Sequence, residues 1–384
     1  MRETAILAAV RTPFTRAFTG GLGQASEFDL AKSVIEGSLV QSGLPPEAVD
    51  DVALGEVYQG GGCIARYAAL DLGLPVDTPG VAIGGFCASG MLAIHHGVAG
   101  IRSGMSRAVI AGGVTSVTHA PVTYPMSADP ANSAPVWSPS HPSTSAAPAG
   151  DLTFTIGEAT ARSLGIGREE LDEWAVRAHA LAVSALDKGI FDAEKVSVRL
   201  AAGGTAEADE LPQRGVTAEG LRELEPVLGP GNTVTVGNQT GLTDGAAALC
   251  LSGGREAGDF GIKPLGFVTG WGSAGVEPNE SMSAAFVSVR RALTVAGVRL
   301  DDVDLFEIHD SFAVIGLAFE KGLEIEREKI NVLGGGLALG HPFAGSGART
   351  VVTLVHELQR RGGGTGLAAI LGAGGLATAT VVQV

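Results

Sequence analysis

A cysteine at position 87 stands in the run Gly84-Gly85-Phe86-Cys87-Ala88-Ser89-Gly90-Met91-Leu92-Ala93-Ile94. Val81-Ala82-Ile83 before it reads as a buried strand, and the residues after it as an apolar helix. The thiol therefore falls at a helix N-terminus, where unpaired N–H groups favour the thiolate. Ala88, Ser89 and Gly90 are small and leave a substrate room to reach the sulfur. Taken alone, this run fits a buried core cysteine equally well. A second stretch shifts the balance. In Gly334-Gly335-Gly336-Leu337-Ala338-Leu339-Gly340-His341-Pro342-Phe343-Ala344-Gly345-Ser346-Gly347-Ala348-Arg349, a histidine lies among glycines, again just before a helix. Cysteine plus histidine points to covalent catalysis through an activated thiol, with the imidazole as proton carrier. A third polar cluster, His309-Asp310-Ser311, follows the strand expected over Val303–Ile308. It falls at the C-terminal end of that strand, where open α/β sheets hold ligands.

The Cys87 and His341 stretches together resemble the thiolase family, whose pattern is a Cys-x-Ser-Gly nucleophile and a late Gly-His-Pro histidine. The resemblance covers essentially the whole chain. Ala9-Val10-Arg11-Thr12-Pro13-Phe14 is similar to the family's opening strand and turn. Gly237-Asn238-Gln239-Thr240-Gly241-Leu242-Thr243-Asp244-Gly245-Ala246-Ala247 is similar to its loop returning to the core.

Composition sets outer bounds. The chain has 384 residues, 45% of them hydrophobic, enough for a sizeable core. A net charge of −15 argues against binding nucleic acid or an anionic membrane through a general field. No apolar run reaches membrane-spanning length without Gly or charge. The three cysteines, 63, 87 and 250, are odd in number and lack metal-ligand spacing. No metal site and no disulfide framework are expected, and a reducing compartment follows. With no signal-peptide pattern at Met1-Arg2-Glu3-Thr4, the expectation is a cytoplasmic protein.

The elements that must position these groups are α/β in character. Ala5–Val10, Val52–Tyr58, Ala108–Val114 and Ala246–Leu251 read as strands, and Phe28–Gln41, Met91–Ile101, Ile156–Leu164 and Arg168–Lys188 as helices. From about Ser116 to Gly150, Pro, Ser, Thr and Ala dominate and periodicity is lost, as in an insertion over the scaffold. Ala201–Ala208 reads as a loop of small residues. There is an internal echo. The same offset of 254 separates Gly43 from Gly297 and Val49 from Val303, and Ser89-Gly90 before a helix returns as Ser346-Gly347. The order of these matches suggests two duplicated α/β halves. Halves packed face to face bring Cys87 and His341 to one central site.

The resemblance adds detail. It implies the thiolase fold: two duplicated α/β halves in five layers, αβαβα, with an inserted loop domain. Residues 1–118 and 232–261 form the N-terminal half, 119–231 the CoA-binding loop domain, and 262–384 the C-terminal half. It implies acyl-CoA and CoA as substrates, no permanently bound cofactor, and a homodimer or homotetramer. Cys87 is then the nucleophile and His341 its base, later a hydrogen-bond donor to the thioester oxygen. Gly372 and the Cys87 N–H form an oxyanion hole. Thr240, Ser311 and Arg214 meet the substrate, the last with its alignment shared with Gln213.

Two departures bear on mechanism. Where the family commonly has Asn-Glu-Ala-Phe, this chain has His309-Asp310-Ser311-Phe312, an opening similar to sterol-carrier-protein-type and archaeal thiolases. The family's second catalytic cysteine is replaced by Ile370 in Ala369-Ile370-Leu371-Gly372. His309 is therefore expected to join the oxyanion hole and to supply the second acid/base function, oriented by Asp310. Cys87, His309 and His341 also resemble the Cys-His-His set of β-ketoacyl synthases. A decarboxylative condensation is thus one alternative, and a weakly catalytic subunit that binds CoA esters or a partner is another.

Overall fold

Ser26 starts the first long helix. Its hydroxyl accepts from the Asp29 N–H while the Asp29 carboxylate accepts from the Ser26 N–H, satisfying two of the free donors at that end. Leu30, Ala31, Val34 and Ile35 make the buried stripe, and Gly43 in a left-handed conformation ends it. The computed structural model describes residues 4–58, 62–124, 144–145 and 153–384. Most of the Pro/Ser-rich stretch expected over 116–150, and the middle of the glycine loop after Tyr58, lie outside the described residues.

In chain order the N-terminal half holds β1 (Thr4–Arg11), β2 (Thr15–Arg16), α1 (Glu27–Ser42), β3 (Asp51–Gly55), α2 (Ile64–Asp71), β4 (Gly80–Ile83), α3 (Ser89–Ser103) and β5 (Ala108–Thr115). Then come α4 (Thr153–Leu164), α5 (Arg168–Asp187), β6 (Val198–Arg199), β7 (Thr205–Ala206) and α6 (Ala218–Arg222). The chain returns through β8 (Thr243–Gly253) and α7 (Gly254–Asp259). The C-terminal half is β9 (Gly266–Gly275), α8 (Ser281–Ala296), β10 (Leu305–Ile308), α9 (Ala313–Leu323), α10 (Gly335–Leu339), α11 (Phe343–Arg361), β11 (Thr365–Gly372) and β12 (Leu376–Gln383). Boundaries differ from the sequence reading by one to three residues at most ends. The 201–208 loop proves to be a small hairpin, β6 with β7, because Gly203 and Gly204 both take positive φ and turn the chain.

The strands run in the order β10-β11-β12-β9-β1-β8-β5-β3-β4. Each half repeats one pattern. β3 pairs parallel with β5 as β10 does with β11, and β5–β8 and β11–β12 are both antiparallel. The halves join where Thr4–Ile6 pairs with Val268–Gly266. β4 has as counterpart only the parallel bridge Phe306–Ile330. The offset of 254 holds in space: α1 begins at 27 and α8 at 281, α3 at 89 and α11 at 343.

Burial resolves the layers. Leu30, Val34 and Ile35 of α1 and Ala65 and Ala68 of α2 cover one face of the first sheet half, over Leu7, Val52 and Ile110. Met91, Ile94 and Val98 of α3, with Val351, Leu354 and Val355 of α11, fill the space between the sheet halves. α8 and α9 cover the far face, joined by Trp174 and Ala178 of α5. The expected αβαβα stack is the observed one. In its middle, α3 and α11 touch backbone to backbone: a Cβ on Gly90 would lie 2.2 Å from the Ala344 carbonyl oxygen. No larger residue fits there, and this close approach brings the two helix N-termini, hence residues 87 and 341, to one place.

Several buried groups are unmatched among the described residues, and one of them bears on stability. Glu27 opens α1, is 4% exposed, and neither of its carboxyl oxygens has a hydrogen-bond partner among the described residues. Burial, with Glu56 nearby, pushes its pKa up to about 9, so it folds as the neutral acid. The unfolded chain holds that proton less tightly. The stability is full below the ordinary carboxylate range and is lost as pH rises towards 9. Glu27→Gln keeps the shape and removes the titration. The expected result is matching melting temperatures near pH 4 and a variant more stable by about 4 kcal/mol at pH 8. Equal gains at both pH values would show the carboxyl to be ionised in the fold.

Candidate active site

β4 ends at Ile83, and Gly84-Gly85 lead into one 3₁₀ turn, Phe86–Ala88, before α3. Phe86 takes φ of 51°, the left-handed region that a bulky side chain avoids. This turn sets Cys87 directly ahead of α3, half-exposed. Its partner comes from the other half. His341 precedes α11 by two residues, as Cys87 precedes α3, and its Nε2 stands 3.2 Å from Cys87 Sγ. The His341 backbone N–H donates to Thr243 Oγ1 at 2.9 Å, and its Nδ1 lies 2.6 Å from Ser346 Oγ.

These contacts fix what His341 can do. For Nε2 to accept the thiol proton it must be bare, so Nδ1 carries the proton and donates to Ser346. Burial, then the nearby Arg349, pull its pKa down to about 3, so the resting imidazole is neutral. A neutral imidazole in contact with a thiol is ready to take the proton as sulfur bonds to carbon. Ser346 and Thr243 thus hold the His341 ring and backbone, contacts not assigned to them from sequence. Both lie inside the motif stretches, Ser346 five residues after His341.

His309 packs against His341 with ring centroids 4.2 Å apart. It is 2% exposed, and its Nε2 has no hydrogen-bond partner among the described residues. Burial, then His341 and Arg349, hold its pKa well below the ordinary imidazole range. The resting ring is therefore neutral, as that of His341 is. Asp310 does not orient it. The carboxylate turns away, accepting from Trp174 Nε1 at 2.8 Å and the Leu337 N–H at 3.1 Å, and so ties α5 and α10 to the strand end. Gly336 is what packs on the ring: a Cβ there would stand 2.4 Å from His309 Nδ1. Gly336→Ala is therefore expected to displace His309 and lower turnover tenfold to hundredfold, with alkylation of Cys87 unchanged. Turnover at the wild-type rate would show that the ring's position is immaterial.

The remaining expected residues divide. Thr240 and Ser311 meet, the Thr240 N–H donating to the Ser311 carbonyl oxygen at 2.9 Å, and the buried Thr240 hydroxyl has no partner among the described residues. Gly372 closes against the cysteine turn: its Cβ, if present, would be 2.9 Å from the Gly85 oxygen. Ile370 is fully buried in the central layer and offers no titrating group. Arg214 stands apart. It pairs with Asp187 of α5 and, with His179 and Gln213, lines a separate cavity of about 270 Å³. Cys250 is core, its thiol pushed up to about 12 by burial, and Cys63 caps α2 beside the outer cluster. Among the described residues no three His, Cys, Asp or Glu could share a metal ion, and no helix is long and apolar enough to cross a membrane.

A thiol and an imidazole supplied by the two halves of a duplicated five-layer α/β fold define a class of cysteine acyl-transfer proteins. Residues 4–254 match the family described as thiolase, N-terminal domain, and residues 262–384 match thiolase, C-terminal domain. The chain belongs to the thiolase family. It is 37% identical to an acetyl-CoA acetyltransferase of Chromobacterium violaceum, covering 99% of each chain. Among solved structures, it resembles Bacillus anthracis acetyl-CoA acetyltransferase with a TM-score of 0.89 and 34% identity, over 100% of this chain and 99% of that one. Human mitochondrial 3-ketoacyl-CoA thiolase gives a TM-score of 0.90 and 30% identity, over 100% and 98%.

Proposed function

We propose that this protein is a thiolase-type acyltransferase acting on acetyl-CoA or another acyl-CoA through a Cys87 acyl-enzyme. The observation that carries this reading is the 3.2 Å contact between Cys87 Sγ and His341 Nε2, with the His309 ring packed against His341. His341 takes the thiol proton as the thiolate attacks the thioester carbonyl. The oxyanion is received by the backbone of Cys87 and Gly372. CoA leaves with the proton from His341, and one thioester has replaced another. In the second half-reaction either CoA returns, or the carbanion of a second acyl-CoA attacks the acyl group. The oxygen of that second thioester lies against His309 and His341.

Thr240 and Ser311 serve the pantetheine arm, which the Thr240 hydroxyl, without a partner among the described residues, supports; Arg214, at its separate cavity, would meet CoA farther along. Residues 119–231 act as the CoA-binding insertion between residues 1–118 with 232–261 and the second half, 262–384. The active form is a homodimer or homotetramer. β4 ends the sheet order, and Tyr67, Val76 and Phe86 near it are exposed, as suits an interface between copies. The odd cysteines suit a cytoplasmic setting.

Acetoacetyl-CoA with CoA tests the reaction. Loss of the enolate absorbance and formation of acetyl-CoA are expected, and no turnover with any 3-ketoacyl-CoA would overturn the thiolytic reading. Ile370 in place of a titrating residue favours one second reading, condensation driven by loss of CO₂ from a malonyl thioester. That reading predicts turnover with malonyl-CoA and none with acetyl-CoA alone.

A further inference from the structure

Arg349 closes the His341 stretch and Glu307 precedes the His309 cluster, both are buried, and neither has been given a part in the chemistry. Arg349 lies on α11 with no exposed surface, and Glu307 on β10 is 3% exposed. One guanidinium nitrogen of Arg349 pairs with the Glu307 carboxylate. Its second terminal nitrogen stands 3.4 Å from His309 Nδ1, at the long end of hydrogen-bond distance. A guanidinium has donors and no lone pair to offer, and it stays protonated. His309 Nδ1 must then be the acceptor. A neutral imidazole with a bare Nδ1 carries its proton on Nε2. That Nε2 is the atom left buried and unpartnered among the described residues, on a ring packed against His341.

We propose that Arg349, held by Glu307, is a positioning residue that locks His309 in the Nε2–H tautomer, making it a fixed hydrogen-bond donor to the substrate oxygen and not a proton acceptor. Glu307 fixes the guanidinium, and Gly336 leaves the ring room to meet it. The donor is preorganised before substrate arrives, so no reorientation is needed as negative charge develops. A consequence concerns the carbon–carbon step. With His309 unable to accept at Nε2, His341 Nε2 is the bare ring nitrogen facing the acyl group. It is free once CoA has departed with the first proton. It takes the α-proton of the second thioester, the carbanion attacks the acyl group on Cys87, and the same proton returns to the Cys87 thiolate as it leaves. The inference rests on the acyltransferase reading for its chemistry but not for its first test.

That test is the ¹⁵N side-chain spectrum of histidine-labelled protein at pH 7, with His309 assigned by its loss in His309→Gln. A protonated Nε2 and bare Nδ1 are expected. A protonated Nδ1 or an imidazolium would overturn the proposal, whatever the activity. The second test replaces the ion pair whole, Arg349→Met with Glu307→Leu, since swapping a buried pair for apolar residues of similar size commonly spares the fold. His309 should then sample both tautomers, with kcat down tenfold to hundredfold and KM little moved. An unchanged His309 spectrum and kcat would leave the pair a purely structural one and end the proposal. Because the pair lies in the core, a third comparison leaves it intact. His309→Gln keeps an N–H donor and should stay within about tenfold of wild type, while His309→Leu should lose 10²–10³. Equal losses in both would assign His309 a proton-accepting role instead.

Discussion

Cys87→Ala is expected to lower acyl transfer by about 10⁴-fold or more, because no other group can form the covalent intermediate. Incubation of the wild type with acetyl-CoA should leave a mass increment on the peptide holding Cys87, absent from the variant. Neither of the other thiols competes. Cys250 is fully buried with its thiol held neutral, and Cys63 lies in the outer cluster. His341→Ala should slow formation of the adduct by about 10²–10⁴ without moving it elsewhere. An adduct found on Cys63 alone would overturn both the nucleophile and the mechanism built on it.

The largest expected loss of stability comes from Arg11. Its guanidinium is fully buried, with Nε 2.5 Å from Glu194 and the two terminal nitrogens 2.6 and 2.9 Å from Asp209. Phe14 and Phe191 flank it at 5.4 and 5.2 Å. These two carboxylates pull the Arg11 pKa up strongly against the cost of burial. The cluster ties the end of β1 to the chain between α5 and α6. Arg11→Met leaves both carboxylates buried and unpaired and should cost about 3–5 kcal/mol, read as a lower urea midpoint. Adding Glu194→Gln and Asp209→Asn removes the stranded charges and should restore most of the loss. A single variant within 1 kcal/mol of wild type would mean that water reaches the cluster.

Much of the fold was legible before any coordinates. Apolar periodicity gave α1, α3 and α5 to within a residue or two, because a helix must bury one stripe and show the other. The offset of 254 announced the duplication; α1 and α8 honour it at both ends, and α3 and α11 at their first residues. What local pattern missed was the shortest elements. The β6–β7 hairpin is two residues per strand, too short to leave a period.

The active site divides along the same line. Residue type by itself marked Cys87 and His341, because thiol and imidazole chemistry belongs to the side chains and glycines advertise the tight turns around them. Residue type also showed that Ile370 could not replace a second cysteine. Only the tertiary structure decided which way each polar group faces. Asp310 sits next to His309 in sequence, yet it leaves the strand end on the opposite side and meets Trp174. Arg349 lies forty residues from His309 and meets its ring. A neighbour in the chain is turned away by the alternation of a strand end, and a distant helix supplies the charge instead. Protonation states follow from burial and from such contacts, and neither is written in the order of the residues.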